Sequence, residues 1–467
     1  MAGIGFHLRK LASEDNLSGL LRAYLHSAVV AAGPWILLVI SITLITTFTK
    51  YIVGLKEVDE FLSIIIYNFF FSFIFSAPLY MISARYVSDC LYQRTLAPVP
   101  GIMISSLGIL LMVMVPLAIV FYTLYVRMSP FSTLLSIVNF TLLCEMWLTM
   151  LYLSALRDFR AITSSWVLGT LLGIFLSVTW GKSYGTSGLL LGLDLGLLFI
   201  LASIKAHVLA EYPFSFRKAK EFRFYFRNYK LLFFSGFFLF SGMCIDRIVM
   251  WMAPEAMVHA NHLRTYPVYD GATFLSYLSI IPSLALFVFS LETNFYDSYI
   301  SYIQHIERNA PFNLLEEERR SIVDKMLANG RAFLVLQGSL TLSLLFLAPL
   351  VFDWLGIGFM QLSIFRLGLI GAFFSALNLC IVIIFSYFDS QSNMLLVTVL
   401  MFVMNALLSF ITLKCGFAYY GYGYCLAMIL TFLVGGVRLF LFLNNLHYHI
   451  FITNVVKKQN FEKLDFS

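Results

Sequence analysis

The chain reads as twelve apolar runs of about 20 residues, parted by polar turns. They cover roughly 25–48, 61–83, 101–126, 131–155, 162–181, 186–210, 231–253, 269–291, 332–355, 361–387, 393–414 and 420–443. A hydrocarbon core of about 30 Å needs about 20 helical residues, so each run predicts one membrane span. The runs lack the strict alternation of lipid-facing strands, which excludes a barrel. Composition agrees: 60% of side chains are hydrophobic, 12% are charged, and mean hydropathy is +0.85. Soluble domains carry about twice that share of charge. Half the usual charge cannot coat a soluble protein of 467 residues.

Charge sets the orientation. With the N-terminus inside, 23 of the 31 lysines and arginines fall on the cytoplasmic side and six on the other, while Arg247 and Arg366 lie within spans. This bias places both termini in the cytoplasm. The formal net charge of +6 has the same origin and does not call for nucleic acid. The first apolar run, from near Leu25, is too long for the core of a cleavable signal.

Five regions follow. Residues 1–24 bring Phe6, Leu8, Leu11, Leu17 and Leu20 together with Arg9, Lys10 and Arg22, which predicts an amphipathic helix at the interface or in the cytoplasm. A six-helix bundle spans 25–211. Residues 212–230 form a basic, Phe-rich cytoplasmic linker that suits an anionic leaflet. A second six-helix bundle spans 231–445, with a solvated helical excursion at 292–331, and residues 446–467 form a cytoplasmic tail.

The two bundles carry a weak internal repeat. Ser154 matches Ser386 at an offset of 232, and Gly181, Gly185 and Gly188 match Gly416, Gly421 and Gly423 at offsets of 235, 236 and 235. Six helices per half make the repeats parallel, around an axis along the membrane normal. The fold expected is an all-α bundle pair around a central cavity, the body plan of alternating-access transporters. Pro34, Pro116, Pro282 and Pro349 supply kinks. Gly169 with Gly173, and Gly188, Gly192 and Gly196, supply faces for close helix packing.

Five ionisable residues lie well within spans: Glu145, Asp194, Asp246, Arg247 and Arg366. Each is costly in lipid and needs a partner or a wet cavity, so these are the candidate substrate-path residues. Asp246 and Arg247 project about 100° apart on one helix and cannot satisfy one another. Arg247 is expected to seek an acid such as Asp194, and Asp246 a donor on another helix.

Other chemistry is sparse. Gly181-Lys182-Ser183 ends like a phosphate loop but has Leu176 where the first glycine belongs. His259-x-x-His262 has metal-like spacing without a third ligand. The six cysteines show no CxxC spacing, and only Cys415 and Cys425 flank a common outer loop. No catalytic residue, metal or cofactor is expected.

The opening Met1-Ala2-Gly3-Ile4-Gly5-Phe6, with Leu8-Arg9-Lys10-Leu11, Leu21-Arg22-Ala23-Tyr24 and Gly33-Pro34-Trp35, resembles the PelG family of Pel exopolysaccharide systems. Ser154-Ala155-Leu156-Arg157, Arg160-Ala161-Ile162-Thr163, Phe224-Tyr225-Phe226-Arg227 and Tyr269-Asp270 through Glu292-Thr293 extend the resemblance to about residue 295. The resemblance implies the multidrug/oligosaccharidyl-lipid/polysaccharide flippase superfamily and export of a galactosamine-containing polymer across a bacterial inner membrane. It also implies three partners: a cytoplasmic glycosyltransferase, a cyclic-di-GMP-sensing membrane protein and a scaffold membrane subunit. Superfamily flippases often use charges on the first helix of each lobe. Asp246-Arg247 fits that placement, while span 1 carries no charge. Two other functions share the fold: an ion-coupled antiporter for small cationic compounds, using Glu145, Asp194 and Asp246, and a non-transporting subunit that activates a synthase.

Overall fold

The computed structural model describes residues 36–92, 97–154, 159–211, 226–290, 296–356 and 360–449, with residues 358 and 451. The amphipathic helix within 1–24, Pro34, most of the 212–230 linker and most of the tail lie outside the described residues.

The first half comprises α1 (Ile36–Thr49), α2 (Leu55–Tyr92), α3 (Val99–Leu124), α4 (Pro130–Ser154) and α5 (Phe159–Glu211). The second comprises α6 (Lys230–Met250), α7 (Pro267–Leu278), α8 (Ile281–Ser290), α9 (Tyr296–Glu307), α10 (Phe312–Leu355), α11 (Met360–Tyr387), α12 (Gln391–Cys415) and α13 (Tyr422–Asn444). Ten described helical stretches are long and apolar enough to cross a membrane. Gly185, at φ 58° and ψ −136°, divides α5 into two spans. With α1, the shorter apolar helix, the twelve predicted spans are accounted for. The chain is a multi-pass membrane protein. The charge bias distinguishes the outer ends of the helices from the inner ones.

Several elements differ from the sequence pattern in instructive ways. The span expected at 269–291 is broken at Ser279–Ile280 into α7 and α8, with Pro282 in the first turn of α8, where its missing N–H costs nothing. Pro116 and Pro349 stay inside continuous helices. The excursion is helical and most of its described side chains are at least partly exposed. Its second half is continuous with span 9, so α10 runs for 44 residues. Tyr302 and Ile322 are fully buried between α9 and the inner end of the second bundle.

Glycine explains how the spans turn back so sharply. A Cβ on Gly192 would lie 2.2 Å from the Ser177 nitrogen, and one on Gly188 2.2 Å from the Trp180 carbonyl oxygen. The two halves of α5 therefore touch backbone to backbone. In the second bundle a Cβ on Gly423 would lie 2.5 Å from the Leu408 carbonyl oxygen, where α12 meets α13. Gly185 and Gly421, matched in sequence, both occupy the left-handed region, at φ 58° and 94°. The turns differ in build: Gly185 alone breaks α5 (ψ −136°), whereas Gly421 (ψ −27°) closes a longer turn that contains the 3-10 segment Phe417–Tyr419.

The bundles meet along α2 and α6, which pack from end to end. At the inner end a Cβ on Gly236 would lie 2.8 Å from the Ala77 carbonyl oxygen. Phe73 meets Phe240 edge-on at 4.3 Å further out. Beyond α6, residues 251–266 form an outer strap containing a two-stranded antiparallel pair, Met257–Val258 with Arg264–Thr265. Trp251, Leu263 and Tyr266 of this strap belong to a buried apolar cluster that takes in the first bundle and, from the second, residues such as Tyr269, Phe352, Phe365 and Tyr420.

Candidate functional site

Asp246 and Arg247 lie in the last turns of α6, fully buried and 8% exposed. They turn apart, as their spacing requires. The Asp246 carboxylate accepts hydrogen bonds from the Tyr269 hydroxyl on α7 (2.9 Å) and the Asn405 amide on α12 (3.3 Å). Asn405 is itself fixed by the Gly242 carbonyl (2.9 Å) and by Ser409, which donates to its side-chain oxygen (3.0 Å). Neutral donors from two other helices therefore hold this carboxylate.

The Arg247 guanidinium has a different environment. Its Nε donates to Thr273 Oγ1 on α7 at 3.0 Å. Its plane lies 5.2 Å from the Phe70 ring on α2 and 4.9 Å from the Tyr277 ring on α7. Phe70 belongs to the first bundle and Tyr277 to the second, so the cation lies on the seam between them. The quadrupoles of the two rings stabilise it electrostatically. Tyr277 is locked in turn: its hydroxyl donates to the Met243 carbonyl (3.1 Å) and accepts from Tyr424 (2.8 Å).

The other sequence candidates are dispersed. Asp194, on the second half of α5, accepts from the Asn139 amide at 2.7 Å. Asn139 accepts from Asn68 (2.9 Å), whose side-chain oxygen takes the Tyr122 hydroxyl (2.6 Å). This buried chain lies within the first bundle, and its terminal oxygen, Asp194 Oδ2, has no partner among the described residues. The expected Arg247–Asp194 pair does not form, because each already has neutral partners in its own environment. Glu145 on α4 pairs with Lys205 on α5. Arg366, near the outer end of α11, is exposed. The five candidates thus form one seam pair and three separate placements.

Sequence reasoning passed over Asp270. This acid, in the first turn of α7, accepts from Trp251 Nε1 (3.0 Å) and from the Tyr266 backbone N–H (3.2 Å). Trp251 in turn stacks on Tyr67 of α2 with centroids 4.6 Å apart. The polar cluster of the seam therefore runs from Asp246 and Arg247 through α7 to the outer strap. His259 donates to or accepts from Thr265 Oγ1 at 2.7 Å, within the strap. Cys415 and Cys425 are both free thiols.

The arrangement sets a buried cation between rings of both bundles and a buried carboxylate among neutral donors.

Comparison with known proteins bears on the class. The PelG family profile, described as "Putative exopolysaccharide Exporter (EPS-E)", matches residues 1–451. No curated protein matches the chain. Among solved structures the fold is similar to an outward-facing multidrug resistance MATE transporter of the MOP superfamily, at 15% identity and TM-score 0.61, covering 88% of this chain and 95% of that one. It is also similar to a MOP superfamily transporter from Pyrococcus furiosus, at 13% identity and TM-score 0.61, covering 90% and 96%.

Proposed function

The chain belongs to the PelG family of exopolysaccharide exporters, and from that premise we propose that it moves a nascent, galactosamine-containing Pel-type polymer outward across a bacterial inner membrane. The two bundles act as lobes that open alternately, and the polymer passes between them without covalent change. Both termini face the cytoplasm, where the chain docks with a glycosyltransferase. A cyclic-di-GMP-sensing membrane protein and a scaffold subunit complete the assembly.

One observation carries this reading: a buried arginine on the seam, bracketed by Phe70 from one lobe and Tyr277 from the other. A cation bracketed by rings of both lobes, with Asp246 and Asp270 near enough to favour its charge, is released when the lobes part and can then meet polymer hydroxyls or carbonyls. An exporter of a long chain needs contacts that are numerous and individually weak, since tight binding would stall movement. Rings and neutral donors meet that need, and Asp246 with Tyr269 and Asn405 provides further acceptor and donor positions.

The test is co-reconstitution of the chain with its glycosyltransferase in sealed vesicles, reading polymer protected inside the lumen. Arg247→Ala should abolish lumenal polymer while the protein still accumulates in the membrane, and Arg247→Lys should recover only part of it, since an ammonium lacks the planar fit to both rings. Full export per molecule in Arg247→Ala would remove this residue from the path. Synthesis that rises without any lumenal polymer would instead identify a non-transporting activator.

A further inference from the structure

We propose that the strap 251–266 is the outer gate, closed in this structure by an uncharged latch onto α2; the inference rests on the transport reading above. Four contacts make the latch. The Tyr67 hydroxyl donates to the Arg264 carbonyl (2.9 Å) and accepts from the Arg264 N–H (3.2 Å), so one side chain caps both backbone groups of one strand residue. The Asn261 amide donates to Ser63 Oγ at 3.0 Å. The Arg127 N–H, after α3, donates to the Asn261 carbonyl at 3.3 Å. The Trp251 ring lies on Tyr67, nearly parallel at 18°.

Three features separate a latch from ordinary packing. Every contact joins the first lobe to the second, so all of them must break together if the lobes part on this side. The strap is built to hold its shape alone: His262 turns at φ 70°, the strands pair, and Asn261 Oδ1 accepts from the Leu263 N–H (3.1 Å). It can therefore leave α2 as a unit without unfolding. The polar contacts are neutral hydrogen bonds, whose loss water can compensate, and opening must in addition expose the buried faces of Trp251, Leu263 and Tyr266. The inner end of the same seam differs in kind: Arg85 on α2 pairs with Asp89 (3.3 Å), reaches Asp389 between α11 and α12 (3.9 Å) and stands over Tyr229. Asp270 is the positioning residue of the outer gate, because it fixes Trp251 from the seam side while Tyr67 holds it from the other.

Cross-linking tests this directly. In a Cys415→Ser background, Ser63→Cys with Asn261→Cys should form a disulfide on oxidation that abolishes export, since a locked gate cannot cycle. Reduction should restore it. Ser132→Cys with Ser187→Cys, at a contact inside the first lobe (2.7 Å), should cross-link without arresting export. Continued export through a fully cross-linked 63–261 pair, or failure of that pair to cross-link, would overturn the gate. Absence of export by the reduced protein and the wild type alike would instead defeat the transport reading. A second measurement covers poor folding of the double variant: Tyr67→Phe should raise labelling of Thr273→Cys by an impermeant maleimide from the outer side several-fold. Unchanged labelling would also overturn the gate.

Discussion

At the scale of single residues, the useful distinction is between a group whose partners are replaceable and one whose partners are not. Asp194 receives one amide and leaves one oxygen bare. Asp194→Asn keeps an acceptor for Asn139 and should preserve membrane abundance. Asp194→Leu orphans a buried amide and should cost about 1–3 kcal/mol, read as lower abundance and a lower melting midpoint in detergent. His259 supplies a pH test. Burial lowers its pKa below the ordinary histidine value, while Asp59 and Glu60 pull the other way. A histidine with a depressed folded pKa contributes stability above its unfolded pKa and loses it as pH falls through the folded value. Acidifying the outer medium should therefore loosen the strap, seen as faster hydrogen exchange in 257–265, and His259→Gln should flatten that response. The charges themselves were legible because lipid makes them costly. Their partners were not, since Thr273, Tyr277 and Phe70 come from other helices. The role of Asp270 was not legible in the sequence, because an acid at the mouth of a span is ordinary.

Elements are governed by backbone contact and by clasps at their ends. Gly192 and Gly188 let the two halves of α5 touch, so Gly192→Ala should strain the turn by about 1–3 kcal/mol, as over-packing does. Gly436→Ala on α13, where a Cβ meets nothing within 4 Å, should be neutral or slightly stabilising, because alanine is the better helix former. A thermal-stability comparison of the two variants checks both. At the inner face Glu316 binds Arg319 through two hydrogen bonds (2.8 and 2.7 Å) and His447 at 3.0 Å, and Tyr302 reaches His447 at 2.8 Å. This clasp ties the excursion to the end of α13. Glu316→Ala should quicken hydrogen exchange in 296–320 without touching the strap. Glycine spacing announced the close packing. The clasp could not be read, because His447 lies 131 residues from Glu316 and 145 from Tyr302.

For the whole molecule, the seam is closed at both ends at once, by neutral contacts outside and by Arg85 within. An alternating mechanism then requires the two ends to release in turn. Charge bias predicts that a reporter after Phe466 reads cytoplasmic and one within 256–264 reads external; an external C-terminus would overturn the orientation used throughout. Neutralising Arg85 should favour inner opening. Arg85→Gln is expected to raise labelling of a cysteine at Ala77 from the cytoplasmic side and leave outer labelling unchanged.

The sequence alone determined what the solvent dictates: span length, span number, orientation bias and the positions where glycine must bring helices together. Those follow from bilayer thickness, from the cost of charge in lipid and from backbone sterics, all of which act locally along the chain. It also carried the family resemblance. Only the tertiary structure decided which lobe each buried charge serves. Asp194 belongs to a chain of amides inside one bundle, while Arg247 lies between bundles, although both are charges within apolar helices. The break of span 8 at Ser279–Ile280, the packing of the excursion and the strap across α2 were likewise set by partners distant in sequence. Pairing of that kind is a property of packed surfaces, and no periodicity within a single helix encodes which surface it will meet.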